Sequence, residues 1–159
     1  MNHNNVFEKI AIIDFGSQFT QLIARKVREL GVYSEIVNFN QIRSLKKNKS
    51  IKGIILSGGP LTITNKNSLS LDNYIFDLNL PILGICYGHQ ILAKKFGGKV
   101  KISKTREFGH AIVRSKLNSP ITKNFFKRKN NSVWMSHQDI VYKIPSGFKK
   151  VAASNNCKF

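Results

Sequence analysis

Acidic residues are scarce in this chain: eight Asp and Glu stand against 26 Lys and Arg, a net charge of +18 over 159 residues. Such an imbalance invites a nucleic-acid reading. The basic residues are scattered in short groups, however: Lys46-Lys47-Asn48-Lys49, Lys94-Lys95, Lys127-Arg128-Lys129 and Lys149-Lys150. No aromatic–basic interleaving or nucleic-acid motif accompanies them. Lys outnumbers Arg 20 to 6, and 16 Asn accompany 19 Ile, the joint excess that AT-rich codons produce. The charge is read as compositional, and no specific nucleic-acid partner is expected. Cysteine is also rare. Cys86 and Cys157 make no disulfide framework, and the N-terminus Met1-Asn2-His3-Asn4-Asn5 lacks the apolar core of a signal peptide. A reducing cytoplasm is therefore the expected location. No stretch approaches the ~20 apolar residues of a membrane span, so no membrane partner is expected. Internal repeats and low-complexity linkers are missing as well. Residues 1–8 read as a tail and 9–159 as one domain.

What remains is an ordinary apolar content of 42%, arranged with clear periodicity. Ile10 to Phe15 is a continuous apolar run, as a central parallel strand buried on both faces requires. Gly16-Ser17 breaks it, and Ser17 can cap the helix that follows, with Phe19, Leu22, Ile23, Val27 and Leu30 as its apolar stripe and Gly31 as its stop. Val32 to Val37 predicts a second strand, Gln41 to Lys47 a short helix with Ile42 and Leu45 inward, and Gly53 to Leu56 a third strand. A helix around Asp72 to Leu78, a strand ending near Leu83 and another helix follow. This alternation predicts an α/β fold, with an open, mainly parallel sheet and helices on both faces. After Gly97-Gly98 the period changes to two, over Lys99 to Ser103 and much of Phe108 to Ser115. Ser132 to His137 and Phe148 to Ser154 read as further strands, so an antiparallel meander is added to the core.

Gly84-Ile85-Cys86-Tyr87-Gly88-His89-Gln90 follows a strand and opens a helix. A cysteine there, with glycine two residues before and two after, has the layout of a nucleophile elbow. A thiolate at a helix N-terminus also has its pKa lowered by the backbone N–H groups. Alone, the Cys-Tyr-Gly core serves equally well as a small buried hydrophobe. Ser57-Gly58-Gly59-Pro60 is on its face a tight turn after a strand. Beside an elbow it acquires a second use, with its backbone N–H groups and that of Tyr87 available to a developing oxyanion. Asp14-Phe15-Gly16-Ser17, Ser57 to Pro60 and Cys86 all fall at the carboxyl ends of predicted parallel strands, where ligands of such sheets bind. Cys157 has a polar context and is read as incidental.

At these residues the chain resembles the class I (triad-type) glutamine amidotransferases, and among them the amidotransferase domain of GMP synthases. Ile13 to Arg25 is similar to that subfamily's N-terminal signature, Ser57 to Pro60 and Gly84 to Gln90 to the class motifs, and Val133 to Asp139 to its glutamine-recognition loop. The resemblance implies a flavodoxin-like fold and a glutaminase. Cys86 attacks the glutamine side-chain amide and forms a thioester. Gly58, Gly59 and Tyr87 make the oxyanion hole, and Gln90, Ser136, His137, Gln138 and Asp139 hold the amino-acid end, Asp139 facing the substrate ammonium. The released ammonia aminates XMP to GMP in an ATP-pyrophosphatase (synthetase) domain of the same or another chain. ATP and Mg2+ are implied there, with no metal or cofactor in the amidotransferase part, and a homodimer is implied for the full-length protein. His89 is expected to point away from the thiol or to pack, His137 to position the recognition loop, and His110 to be a strand or surface residue. The family's base and its orienting acid come from a His-Pro-Glu motif beyond the strand after the recognition loop. No His-x-Glu occurs in residues 1–159, so 9–159 is expected to be a domain incomplete at its C-terminus and inactive alone. The alternative is a non-catalytic remnant that binds glutamine or a synthetase partner.

Overall fold

Ala11, Ile12 and Ile13 are wholly buried in the first strand, β1 (Lys9–Asp14), as their unbroken apolar run predicts. The computed structural model to which this strand belongs describes residues 7–64, 68–126 and 130–159, with the side chains of 47 and 104–106 also outside the description. Most of the expected tail and the basic group at 127–129 therefore lie outside the described residues. The chain divides into two units, residues 1–91 and 92–159.

In the first unit, β1 is followed by α1 (Thr20–Glu29), β2 (Tyr33–Asn38), a 3-10 helix (Phe39–Lys47), β3 (Ile51–Leu56), α2 (Tyr74–Asp77), β4 (Ile82–Gly84) and the start of α3 (Tyr87–Lys95). The four strands form a parallel sheet in the order β2-β1-β3-β4. Three local expectations are corrected. The predicted stripe of α1 faces the core only in part: Ile23 and Val27 are half-buried beside buried Thr20 and Ala24, whereas Phe19, Leu22 and Leu30 are exposed. The hydroxyl of buried Ser34 in β2 donates to the Ala24 carbonyl at 3.0 Å. That bond holds the helix backbone close to the strand at Ala24, where the side chain is small. The helix predicted over Gln41 to Lys47 is a longer 3-10 helix. Phe39, Ile42 and Leu45 recur every three residues, the period of that helix, and Ile42 and Leu45 are buried as expected. The helix predicted over Asp72 to Leu78 is a single turn, started by the Asp72 carboxylate accepting the Tyr74 N–H at 3.0 Å.

The second unit is an antiparallel sheet of β5 (Lys99–Ser115), β6 (Asn130–Lys143) and β7 (Ala152–Ala153), in the order β6-β5-β7. The expected antiparallel addition is thus present, with β7 pairing to β5 rather than to its sequence neighbour β6. A register shift separates the Ile102–Asp139 pair from the Glu107–His137 pair. Val113, Val141, Glu107 and Asp139 are buried, whereas Phe108 and Trp134 are exposed.

Candidate active site

The chain runs from β1 outward to β2 and then returns past β1 to β3. The loops leaving β1 and β3 therefore part at a switch in strand order, where open parallel sheets form a crevice. Phe15 to Ser17 follow β1 and Ser57 to Pro60 follow β3, with Cys86 just beyond β4 alongside.

Ser57, fully buried, ties the three loops together. Its N–H donates to the Ile13 carbonyl at 3.0 Å, and its hydroxyl accepts the Phe15 N–H at 3.2 Å while donating to the Gly58 carbonyl at 2.8 Å. Its carbonyl accepts the N–H of Gly88 at 3.0 Å, and the Ile85 N–H donates to the Leu56 carbonyl at 2.9 Å. The elbow is thereby stitched to the end of β3. Both of its glycines are obligatory. A Cβ on Gly84 would stand 2.7 Å from the Gly88 carbonyl carbon, and one on Gly88 would overlap the backbone of Leu56. Cys86 between them has φ 48°, a left-handed conformation that side chains other than glycine seldom adopt. Strain of this kind at the tip of the turn is what holds a nucleophile out above a sheet.

Cys86 is exposed on one side, yet the packed elbow on the other pushes its thiol pKa up. The helix N-terminus was expected to lower it. Desolvation, which penalises the thiolate, opposes that effect here. Donors are nevertheless at hand. Among the described residues, no acceptor takes the N–H of Gly58, Gly59 or Tyr87. Gly59 is held by close packing, a Cβ on it lying 3.1 Å from the Phe15 carbonyl oxygen and 3.5 Å from the Tyr87 ring. That ring meets Phe15 edge-on at 5.5 Å between centroids, and Phe15 stacks on Phe39 at 6.0 Å. The Tyr87 hydroxyl accepts the Leu69 N–H at 2.9 Å.

The Asp14 to Ser17 segment thus has a structural role that its sequence did not reveal. The Asp14 carboxylate accepts the Gly16 N–H at 2.9 Å and the Thr20 hydroxyl at 2.7 Å. Gly16, with φ 88°, seats against Pro60. Ser17 accepts the Phe19 N–H at 3.1 Å just ahead of α1, a local turn where a cap was expected. Gln90 is buried, its N–H donating to the Cys86 carbonyl at 3.1 Å, and His89 is an exposed residue of α3. Cys86, Gly58, Gly59, Tyr87 and Gln90 therefore belong to one unit, and the remaining candidates to the other.

Ser136, His137, Gln138 and Asp139 lie on β6, where successive side chains point to opposite faces. His137 and Asp139 share one face, Ser136 and Gln138 the other. Asp139 is buried. His137 Nε2 lies 3.0 Å from a carboxylate oxygen of Glu107, which is 6% exposed and accepts the Ser154 hydroxyl at 2.6 Å on its other oxygen. Sequence reasoning passed over Glu107. Its signal was being one of two carboxylates within residues 92–159, at the inward parity of an alternating strand. His110 is exposed on β5 and contacts the Ser132 hydroxyl. The Cys157 thiol donates to the Phe159 carbonyl at 2.9 Å, and burial pushes its pKa up as well. Among the described residues, no three His, Cys, Asp or Glu side chains group to hold a metal ion, and no helix is long and apolar enough to cross a membrane.

The family model for class-I glutamine amidotransferases matches residues 11–159. Two proteins named GMP synthase [glutamine-hydrolyzing] are similar over nearly the whole chain: that of Ruthia magnifica subsp. Calyptogena magnifica is 46% identical over 99% of it, and that of Vibrio vulnificus 45% identical over all of it. The chain spans about 30% of the length of these curated relatives. Among solved structures, a Thermoplasma acidophilum protein described as a candidate component of GMP synthase is 34% identical with a TM-score of 0.78, covering 96% of this chain and 75% of that one. A glutamine amidotransferase of Thermotoga maritima shares the fold at 20% identity, with a TM-score of 0.71 over 95% of this chain and 69% of its own. An elbow cysteine beside free backbone donors, a matching sequence model and a shared fold agree: the chain belongs to the class-I glutamine amidotransferase family.

Proposed function

We propose that this chain is the glutaminase part of a GMP synthase. The Cys86 sulfur attacks the side-chain carbonyl carbon of glutamine, and the N–H groups of Gly59 and Tyr87 receive the oxyanion, with Gly58 shaping their loop. Collapse of the adduct expels ammonia as the amide nitrogen takes up a proton. Water then hydrolyses the glutamyl thioester to glutamate. Gln90 and the Ser136 to Asp139 segment hold the amino-acid end, Asp139 facing the substrate ammonium. The ammonia passes to an ATP-pyrophosphatase synthetase part, in the same or another chain, which aminates XMP to GMP with ATP and Mg2+ bound there. The observation that carries this reading is the strained Cys86 turn beside unengaged backbone donors, in a chain 46% identical to a GMP synthase.

Residues 1–159 taken alone are expected to turn over slowly. Burial raises the Cys86 thiol, and no His-x-Glu in these residues is available to take its proton. General acid–base help is worth ~10²–10⁴-fold. The same two observations favour a second reading, in which these residues bind glutamine without hydrolysing it. Brief treatment with a chloroketone analogue of glutamine, followed by mass spectrometry, should place the label on Cys86. Ammonia release from residues 1–159 should stay near background and rise by roughly 100-fold or more when the relatives' His-Pro-Glu segment is appended. A label mainly on Cys157 would refute the nucleophile. Labelling of Cys86 without turnover in the extended chain would favour the binding-only reading.

A further inference from the structure

Two serines border the elbow, and they differ in what their hydroxyls have left to give. Ser57 is fully committed, since its hydroxyl accepts from Phe15 and donates to the Gly58 carbonyl. Ser17 accepts the Phe19 N–H, and among the described residues its own proton has no acceptor. Its location is fixed by Gly58. A Cβ built on that glycine would stand 3.3 Å from the Ser17 Oγ and 3.6 Å from the Cys86 Cβ, so hydroxyl and cysteine flank one point. The segment carrying Ser17 is also rigidly held, by the Asp14 carboxylate on Gly16 and Thr20 and by Gly16 against Pro60. A polar group on so constrained a scaffold is preorganised rather than incidental.

We propose that Ser17 is a further residue of this site, its hydroxyl turning to donate to the Cys86 sulfur once the thiol has lost its proton. The proposal rests on Cys86 being the nucleophile. Desolvation on the packed side of Cys86 penalises the thiolate, and a hydrogen bond made only to the charged form offsets part of that. Within residues 1–91 the flanking hydroxyl supplies such a bond without a titrating partner.

The test is the pH dependence of Cys86 alkylation by iodoacetamide, read by mass spectrometry in a Cys157→Ser background. Ser17→Ala should raise the apparent pKa of Cys86 by about one unit, the scale of a hydrogen bond to a charged group. Alkylation near neutral pH should then fall about ten-fold, with the limiting rate at high pH unchanged. Ser17→Thr, which keeps the hydroxyl and the turn, should restore the original profile. The proposal is overturned if the Ser17→Ala profile coincides with the parent. It is equally overturned if the high-pH limit drops in step with the rest, the mark of a displaced elbow, or if threonine fails to rescue. Should Cys86 resist the glutamine chloroketone in the parent protein, the nucleophile reading itself falls, and that failure is visible before any Ser17 variant is made.

Discussion

Six acidic side chains accompany ten basic ones in residues 1–91, whereas two accompany sixteen in residues 92–159. In the first unit several carboxylates are paired at the surface: Glu29 with Arg25 and Lys26, Glu35 with Lys9, and Asp72 with Arg43. Both carboxylates of the second unit, Glu107 and Asp139, are buried. The two units are built on different principles. Close backbone packing at glycines and one buried serine shape the elbow region. Alternation along two long strands shapes the other, with its only acids turned inward and its surface left to basic, polar and aromatic side chains. Reactive chemistry therefore does not follow charge in this molecule. The cysteine sits in the nearly balanced half, and the charge in the half that lacks the elbow.

The comparison predicts that a single methyl group is far more costly in the elbow than in an open turn. Gly88→Ala, forcing a Cβ into the Leu56 backbone, should destabilise the protein by about 3 kcal/mol. Gly147→Ala, at φ 81° with nothing near its Cβ, should cost about 1 kcal/mol. Urea unfolding measures both, and equal losses would erase the distinction. The next effect concerns the carboxylates. Glu107→Ala strands His137 and Ser154 and should cost about 2 kcal/mol. Glu29→Ala, which breaks only exposed pairs, should leave the denaturant midpoint where it is. The smallest effect has the opposite sign. Cys86→Gly relieves the left-handed backbone and should stabilise the protein by about 1 kcal/mol, while abolishing labelling by the chloroketone. A destabilised Cys86→Gly would mean that the turn stores no strain.

Much of the first unit was legible in the sequence because its signals are local. An apolar run of β-branched residues reads as a buried strand, and glycines spaced around a cysteine read as an elbow. What escaped were features set by long-range contact. The rotation of α1 depends on Ser34 reaching the Ala24 carbonyl from β2. The Glu107–His137–Ser154 cluster needs the register of β5 on β6 and the return of the chain beyond β7. The sense of the Cys86 shift depends on how closely the elbow is packed, which spacing alone does not reveal. The Ser136 to Asp139 segment was legible as a motif, but its alternation on β6 splits the four side chains between two faces.

Tyr87 joins two tasks at opposite ends of one residue. Its hydroxyl anchors the Leu69 backbone, and its N–H, unengaged among the described residues, stands next to Cys86 in the chain. Ordinary mutagenesis reaches only the first. Replacing Tyr87 by Phe loosens the Leu69 segment and leaves the N–H in place, so an alanine scan of this site would credit the residue with anchoring alone. The Gly59 donor is hidden in the same way. Replacing the two backbone amides by esters, through chemical synthesis of the segment, would delete each donor while keeping every side chain. The most consequential groups of this elbow are thus written in the backbone, where the genetic code has no letter to change them.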